Sequence, residues 1–277
     1  MNHPFLIAQI SDLHLKAGQK LTYGVVDTLA ALRHAVDHLN ASIPRPDIVV
    51  ISGDLVDFGQ PDEYAVLHPE LKRLDMPFYL VPGNHDDRQH LLAEFAEQAY
   101  LPRNHDAPLD WTVDEYPVRL IGLDTSIPGA HGGQLIESQL LWLDEQLAQK
   151  PDKPTVLVLH HPPFITGIGH MDRESFRNIA EFEKVIGRHP HVERLLCGHL
   201  HRPMQRRFGG SLSCICPGTS HQIVLDLQED APAHFNLEPA GYLLHRWHPQ
   251  QGLVTHNAVF GEYPGPYPFY DVNGLID

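Results

Sequence analysis

The chain is predicted to be α/β, and three observations predict it. Short apolar runs suited to buried strands alternate with helical patterns over roughly the first two hundred residues. Five of those runs deliver Asp, Asn or His at or just beyond their carboxyl ends. The texture turns to hairpins after residue 202. Alternation of this kind implies a sheet covered by helices on both faces, and in open α/β sheets ligands bind at the carboxyl edge of the strands.

The strand candidates are FLIAQI (5–10), DIVVIS (47–52), FYLV (78–81), VRLIGLD (118–124), TVLVLHH (155–161) and ERLLCGH (193–199). Between them, residues 25–40, 61–74, 137–149 and 173–187 carry apolar residues at helical spacing. The second of these opens on Pro61, Asp62 and Glu63, residue types that favour a helix's first turn. Beyond residue 202, QRRFGG, SLSCICPG, SHQIVLDL and GYLLHRWHPQQGLVTHNAVF read as antiparallel hairpins, the last turning between His248 and Gly252. The proline-rich end EYPGPYPFYDVNGLID cannot form a helix interior. Residues 1–202 are therefore expected to form an α/β core and 203–277 a β-hairpin-rich region of the same domain.

Composition narrows the function. At 277 residues the chain can bury a sizeable core, and no run approaches the eighteen or so apolar residues of a membrane span. The N-terminus lacks the basic segment and cleavage site of a secretory signal. A formal charge of −15 and 20 basic against 35 acidic residues argue against extended nucleic acid as partner. Three clustered cysteines, Cys197, Cys214 and Cys216, are too few for a disulfide framework and point to a reducing, cytoplasmic compartment. Strand alternation is expected to send the thiols of Cys214 and Cys216 to opposite sides.

Chemistry gathers at the strand ends. FLIAQI is followed by Asp12 and His14, DIVVI by Asp54, and FYLV by Asn84 and His85. TVLVL is followed by His160 and His161, and ERLLC by His199 and His201. Burying Asp and His without partners costs several kcal/mol, so gathering them at one edge calls for cations. The i, i+2 pairs Asp12/His14 and His199/His201 are expected on one side of an extended segment. Glycines 53, 83 and 198 precede candidates and permit close backbone approach. Nitrogen and oxygen donors without thiolate suit Zn, Fe, Mn or Co. Each motif alone has an ordinary explanation as a turn or helix cap; five in register at matching strand ends do not.

DLH, GDLVD, GNHD, HH and GHLH, in that order across residues 7–201, resemble the calcineurin-like metallophosphoesterase superfamily. ISGDLVDFGQPDEY, YLVPGNHDDR, HHPPF, CGHLHRP and PGTSHQ (217–222) are similar to its class III cyclic-nucleotide phosphodiesterase and glycerophosphodiesterase branch. The resemblance implies a four-layer α/β/β/α sandwich whose second sheet is completed by the C-terminal hairpins. It implies two divalent or trivalent metals, with Asp12, His14 and His201 on one, Asn84, His160 and His199 on the other, and Asp54 bridging. Asp57 would orient rather than ligate, and His161 would stand outside the ligand set. His85 is expected to donate a hydrogen bond or proton to the substrate, and His221 to contact it, though a solvent-facing edge histidine is a competing account of His221. The activity implied is hydrolysis of small phosphodiesters, cyclic nucleotides or glycerophosphodiesters, by in-line attack of a metal-bridging hydroxide. Nuclease and phosphomonoesterase are the alternatives, the latter disfavoured because Phe58 stands where monoester relatives carry Arg, although Arg88 and Arg202 lie near the site in sequence. A homo-oligomer built on dimers is expected from the aromatic tail.

Overall fold

The computed structural model describes residues 4–272 and 274–276; residues 1–3, 273 and 277, parts of the N-terminal run and of the tail considered above, lie outside them. In chain order, β1 (Phe5–Ile10) leads through α1 (Thr28–Ala41) to β2 (Ile48–Ile51), α2 (Pro61–Leu71), β3 (Phe78–Leu80) and α3 (Arg88–Glu94). The chain continues as β4 (Trp111–Val113), β5 (Arg119–Leu123), α4 (Glu137–Gln149), β6 (Thr155–Leu159), α5 (Gly169–Asp172), α6 (Ile179–Gly187) and β7 (Val192–Cys197). It ends in β8 (Met204–Phe208), β9 (Ser211–Ile215), β10 (Gln222–Ile223), β11 (Phe235–Asn236), β12 (Gly241–His248), β13 (Gly252–Val259), β14 (Tyr270–Asp271) and β15 (Gly274–Leu275).

Two main sheets result, ordered β13-β12-β1-β2-β3 and β4-β5-β6-β7-β9-β8. Period-two alternation in the second sheet shows how they stack. Leu120, Val156, Val158 and Leu196 share a core with the first sheet and with Leu32, Val36 and Leu39 of α1. Their neighbours Ile121, Leu157, Leu159 and Leu195 pack instead with Leu143 and Leu147 of α4 and Phe182 of α6. Each sheet is thus covered by helices outside and by the other sheet inside, a sandwich whose strands are apolar on both faces. Local chemistry sets the helix starts: Asp27 accepts from the Ala30 N–H at 2.9 Å, and Glu63 accepts from the N–H groups of Gln60 and Phe58 ahead of α2.

Three expectations are corrected. The C-terminal hairpins do not together complete the second sheet: β8 and β9 extend it, whereas β12 pairs antiparallel with β1 and carries β13 onto the edge of the first. The first sheet has only three short parallel strands, and β12–β13 cover the edge of β1 that would otherwise expose unpaired backbone. The helical pattern at 173–187 yields a helix only from Ile179, because Asn178 takes a left-handed conformation (φ 51°) at its start. Cys214 and Cys216 fall in one small buried cluster with Leu243, since residues two apart on a strand share a face.

The sheets are also joined at one end by Trp111, whose indole N–H donates to the Leu80 carbonyl at 2.9 Å. Its cross-strand partner is Gly122, where an added Cβ would lie 2.1 Å from the indole. Gly122→Ala is therefore expected to lower stability by about 1–3 kcal/mol through overpacking, read as an earlier urea-unfolding midpoint with unchanged slope.

Candidate metal centre

The strand ends converge. Asp12, Asp54, Asn84, His160 and His199 follow β1, β2, β3, β6 and β7, so both sheets contribute. The seam between the sheets is buried: Asp12 and His160 are fully buried, and Asp54 and His14 are each 2% exposed. Asp54 sits at the middle. Its Oδ2 lies 3.5 Å from His14 Nε2 and 3.2 Å from His160 Nε2. On the first side, His201 Nε2 is 3.4 Å from Asp12 Oδ1 and 3.1 Å from His14 Nε2. On the second, Asn84 Oδ1 is 3.2 Å from His160 Nε2, and a ring nitrogen of His199 lies within 4.8 Å of one on His160.

These side chains do not reach the seam by strand alternation. Asp12, His14, Asp54, His199 and His201 all have positive φ, between 44° and 71°. That corrects the extended geometry expected for the i, i+2 pairs. Only three other non-glycine residues among those described share this conformation, which costs of order 1–3 kcal/mol at each position. Strain on that scale gathered at one place marks a site. Backbone contacts hold the strained turns: the His199 N–H donates to Asp12 Oδ1 at 2.9 Å, and the His85 N–H to Asp54 Oδ1 at 3.0 Å. Glycine is required where the backbone passes closest. A Cβ on Gly83 would sit 2.2 Å from Asp54 Oδ1, and one on Gly53 (φ 95°) 2.5 Å from His160 Nδ1.

Polar neighbours fix the tautomers. His160 Nδ1–H donates to the Ser52 carbonyl at 2.8 Å and His201 Nδ1–H to the His221 carbonyl at 3.2 Å. His14 Nδ1 faces Asp57 Oδ1 at 3.4 Å. Nε2 of His160 and of His201 therefore faces the seam. Against the effect of burial, the Asp54 carboxylate pushes the His160 pKa up to about 9, and the carboxylates around His14 raise its pKa as well. The two Nε2 atoms of His14 and His201 are 3.1 Å apart, close enough to share a proton, while His14 Nδ1 and Asp12 Oδ2 have no hydrogen-bond partner. Two imidazole nitrogens meeting beside an unpaired buried carboxylate oxygen fit a cation between them. Burial, with the neighbouring His14, pushes the His201 pKa down to about 3, and burial likewise holds His199 well below the usual imidazole range. Both rings are neutral, the form that ligates metal.

The neighbouring polar residues behave differently. His161 spends both nitrogens, accepting from Thr125 Oγ1 at 2.8 Å and donating to the His131 carbonyl at 3.0 Å, which leaves none for a metal. Asp57 lies between His14 and Lys16, whose Nζ is 3.0 Å from its Oδ2. In the turn after β3, Asp86 accepts from the Gly83 and Leu55 N–H groups and the Tyr64 hydroxyl, while Asp87 caps α3 by accepting from His90. Both are structural. His85 lines the cleft, its Nδ1–H donating to the Asp57 carbonyl at 2.7 Å. His221 is no edge residue: it is 1% exposed, 4.6 Å ring to ring from His201, and flanked by Tyr23 and Phe235.

Above the seam opens a cleft of about 330 Å³ lined by His14, Asp54, Asn84, His85, His199 and His201. Tyr23, His131, His170 and Arg173 also line it, and the sequence pattern did not single them out. His131 Nδ1 lies 3.5 Å from the Asn84 amide nitrogen, on the side that leaves the amide oxygen facing His160. The signal available for it was the turn PGAHGG following β5, a sixth strand ending at the same edge. Arg88 and Arg202, close to the site in sequence, are engaged elsewhere, by Asp124 at 2.6 Å and Glu238 at 2.9 Å.

Comparison with known proteins agrees with this architecture. Residues 5–203 match the sequence profile of the calcineurin-like phosphoesterase family. The chain is 41% identical over 274 residues to a probable glycerophosphodiester phosphodiesterase GpdQ of Arcobacter nitrofigilis, covering 98% of this chain and all of the relative. It is 29% identical to the 3′,5′-cyclic adenosine monophosphate phosphodiesterase CpdA of Escherichia coli, over 78% of this chain and 76% of that one. In fold it is similar to a dimetal phosphatase from Danio rerio, with a TM-score of 0.69 at 16% identity, covering 93% of this chain and 97% of that one. Strand ends, donor set and family profile coincide, and the chain belongs to the calcineurin-like phosphoesterase family.

Proposed function

We propose that the chain is a binuclear metal-dependent phosphodiesterase of small phosphodiesters, glycerophosphodiesters and 3′,5′-cyclic nucleotides. The observation that carries it is the position of Asp54, within 3.5 Å of one imidazole from each of two donor groups. Asp12, His14 and His201 would hold one ion and Asn84, His160 and His199 the other, with Asp54 shared; Fe, Mn, Zn or Co suits this donor set. A bound cation pair supplies an acidified water and draws charge from the phosphoryl group.

The remaining work falls to this chain's side chains. His85 gives its Nδ1 proton to the Asp57 carbonyl, so its Nε2 is the atom left for the substrate, and it donates there only when the ring carries both protons. Asn84 combines an oxygen for metal with an amide N–H held toward His131. His221 packs on His14 and His201 and against the Tyr23 ring, which itself lines the cleft. A diester suits the cleft better than a dianionic monoester, because Arg173 is its one guanidinium among the described residues. The excess of acidic residues likewise disfavours extended nucleic acid. The names of the similar proteins, glycerophosphodiester and cyclic-nucleotide phosphodiesterases, support the substrate class.

No helix among the described residues is long and apolar enough to cross a membrane; the free, buried Cys197, Cys214 and Cys216 support a cytoplasmic setting. The exposed Tyr263, Tyr267, Phe269 and Tyr270 support a dimer or dimer-based assembly, for which light scattering is expected to return at least twice the 31.2 kDa chain mass.

Activity on a bis-aryl phosphate, cyclic AMP and a glycerophosphodiester is expected to vanish on exhaustive chelation and return with Mn or Co; turnover of single-stranded DNA alone would contradict the substrate class. Asn84→Ala is expected to lose one metal equivalent by elemental analysis together with most turnover, and unchanged metal content and rate would remove it from the ligand set. For His85→Ala the expectation is full metal content and kcat lower by about 10² or more, with an unaltered kcat overturning its role.

A further inference from the structure

We infer that Gln9 is a positioning residue: its side-chain amide clamps the two sheets together beneath the metal centre and sets the spacing of the ligand-bearing turns. Gln9 is fully buried in β1, three residues before Asp12. Its Nε2 donates to two elements at once, to Ser52 Oγ at 2.8 Å and to the Cys197 carbonyl at 2.9 Å. Ser52 follows β2 and its own carbonyl receives the His160 Nδ1–H. Cys197 ends β7, two residues before His199. One amide therefore ties Asp12, His160 and His199 across both sheets.

The other half of the amide is also committed. Because Nε2 must face the Cys197 carbonyl, Oε1 faces His245 of β12, whose Nε2–H donates to it at 3.2 Å. His245 Nδ1 then accepts from Thr255 Oγ1 of β13 at 2.9 Å. The result is a chain of donors in one direction, Thr255 to His245 to Gln9 to Cys197, running from the outer strand of the first sheet into the second. Burial pushes the His245 pKa down to about 3, so the ring keeps the single tautomer this order needs. No atom of the chain touches the cleft. Its effect is exerted through the backbone of the ligand-bearing turns, one step further out than the direct partners of metal-binding side chains, whose mutation typically costs about 10- to 100-fold in metal affinity.

The clamp acts on the two-cation site proposed above and rests on that reading. The test is Mn(II) titration of the metal-free full chain by calorimetry, with thermal unfolding and steady-state kinetics alongside. Gln9→Leu keeps the volume but removes both donors. It is expected to weaken metal binding at least tenfold and lower kcat at subsaturating metal, with KM for a bis-aryl phosphate little changed. Leu143→Ala, a cavity in the outer core of the second sheet, supplies the control: comparable loss of thermal stability with wild-type metal affinity. Should Gln9→Leu not fold, His245→Leu and His245→Gln separate the same point, since only the glutamine can still donate to Gln9 Oε1 and only it should retain affinity. Wild-type affinity in Gln9→Leu, or equal affinity in the two His245 variants, overturns the clamp. A wild-type chain that binds no Mn(II) overturns instead the metal site on which the clamp acts.

Discussion

The structure depends on one arrangement that would be unfavourable without cations: carboxylates and imidazoles packed together in a buried seam between two sheets. Asp12 and Asp54 are buried there, and desolvating a carboxylate without compensation costs several kcal/mol. The Nε2 atoms of His14 and His201 meet at 3.1 Å. Left-handed backbone at Asp12, His14, Asp54, His199 and His201 adds strain of order 1–3 kcal/mol at each position. Terms of this size are comparable with the whole net stability of a domain, so the scaffold must be stiff. Two sheets sharing one core, with strands buried on both faces, supply that stiffness.

Much of this was legible in the sequence because strand ends are punctuated by type. Apolar runs located β1, β2, β3, β5, β6 and β7 to within a residue or two, and the polar residues directly after five of them are those that converge in the structure. Long-range strand pairing was not legible. Both C-terminal hairpins alternate alike, and nothing local tells β12 that it will meet β1 rather than β7. The brief β4 and α3 were also missed, being too short to show a period. Backbone sign was hidden for a different reason. Asp and His in an i, i+2 pair read as extended, and only the tertiary demand for convergence turns them to positive φ.

The cluster of polar residues around the seam divides by hydrogen bonding rather than by residue type. His160 and His161 are adjacent, yet the first turns Nε2 to Asp54 and Asn84 while the second has both nitrogens taken by Thr125 and His131. Asn84, His85, Asp86 and Asp87 follow one another, and the first pair faces the cleft while the second locks the turn and caps α3. This is why VPGNHDD carries an amide, an imidazole and two carboxylates on one tight turn: half of them face the cleft and half hold the turn in place.

The central claim is that two cations occupy this seam on either side of Asp54. Anomalous diffraction at the absorption edge of the metal bound by the purified protein tests it most directly. Two peaks are predicted, one among Asp12, His14 and His201 and the other among Asn84, His160 and His199, both within bonding distance of the Asp54 carboxylate. A single peak away from Asp54, or none from protein that turns over substrate, would contradict it.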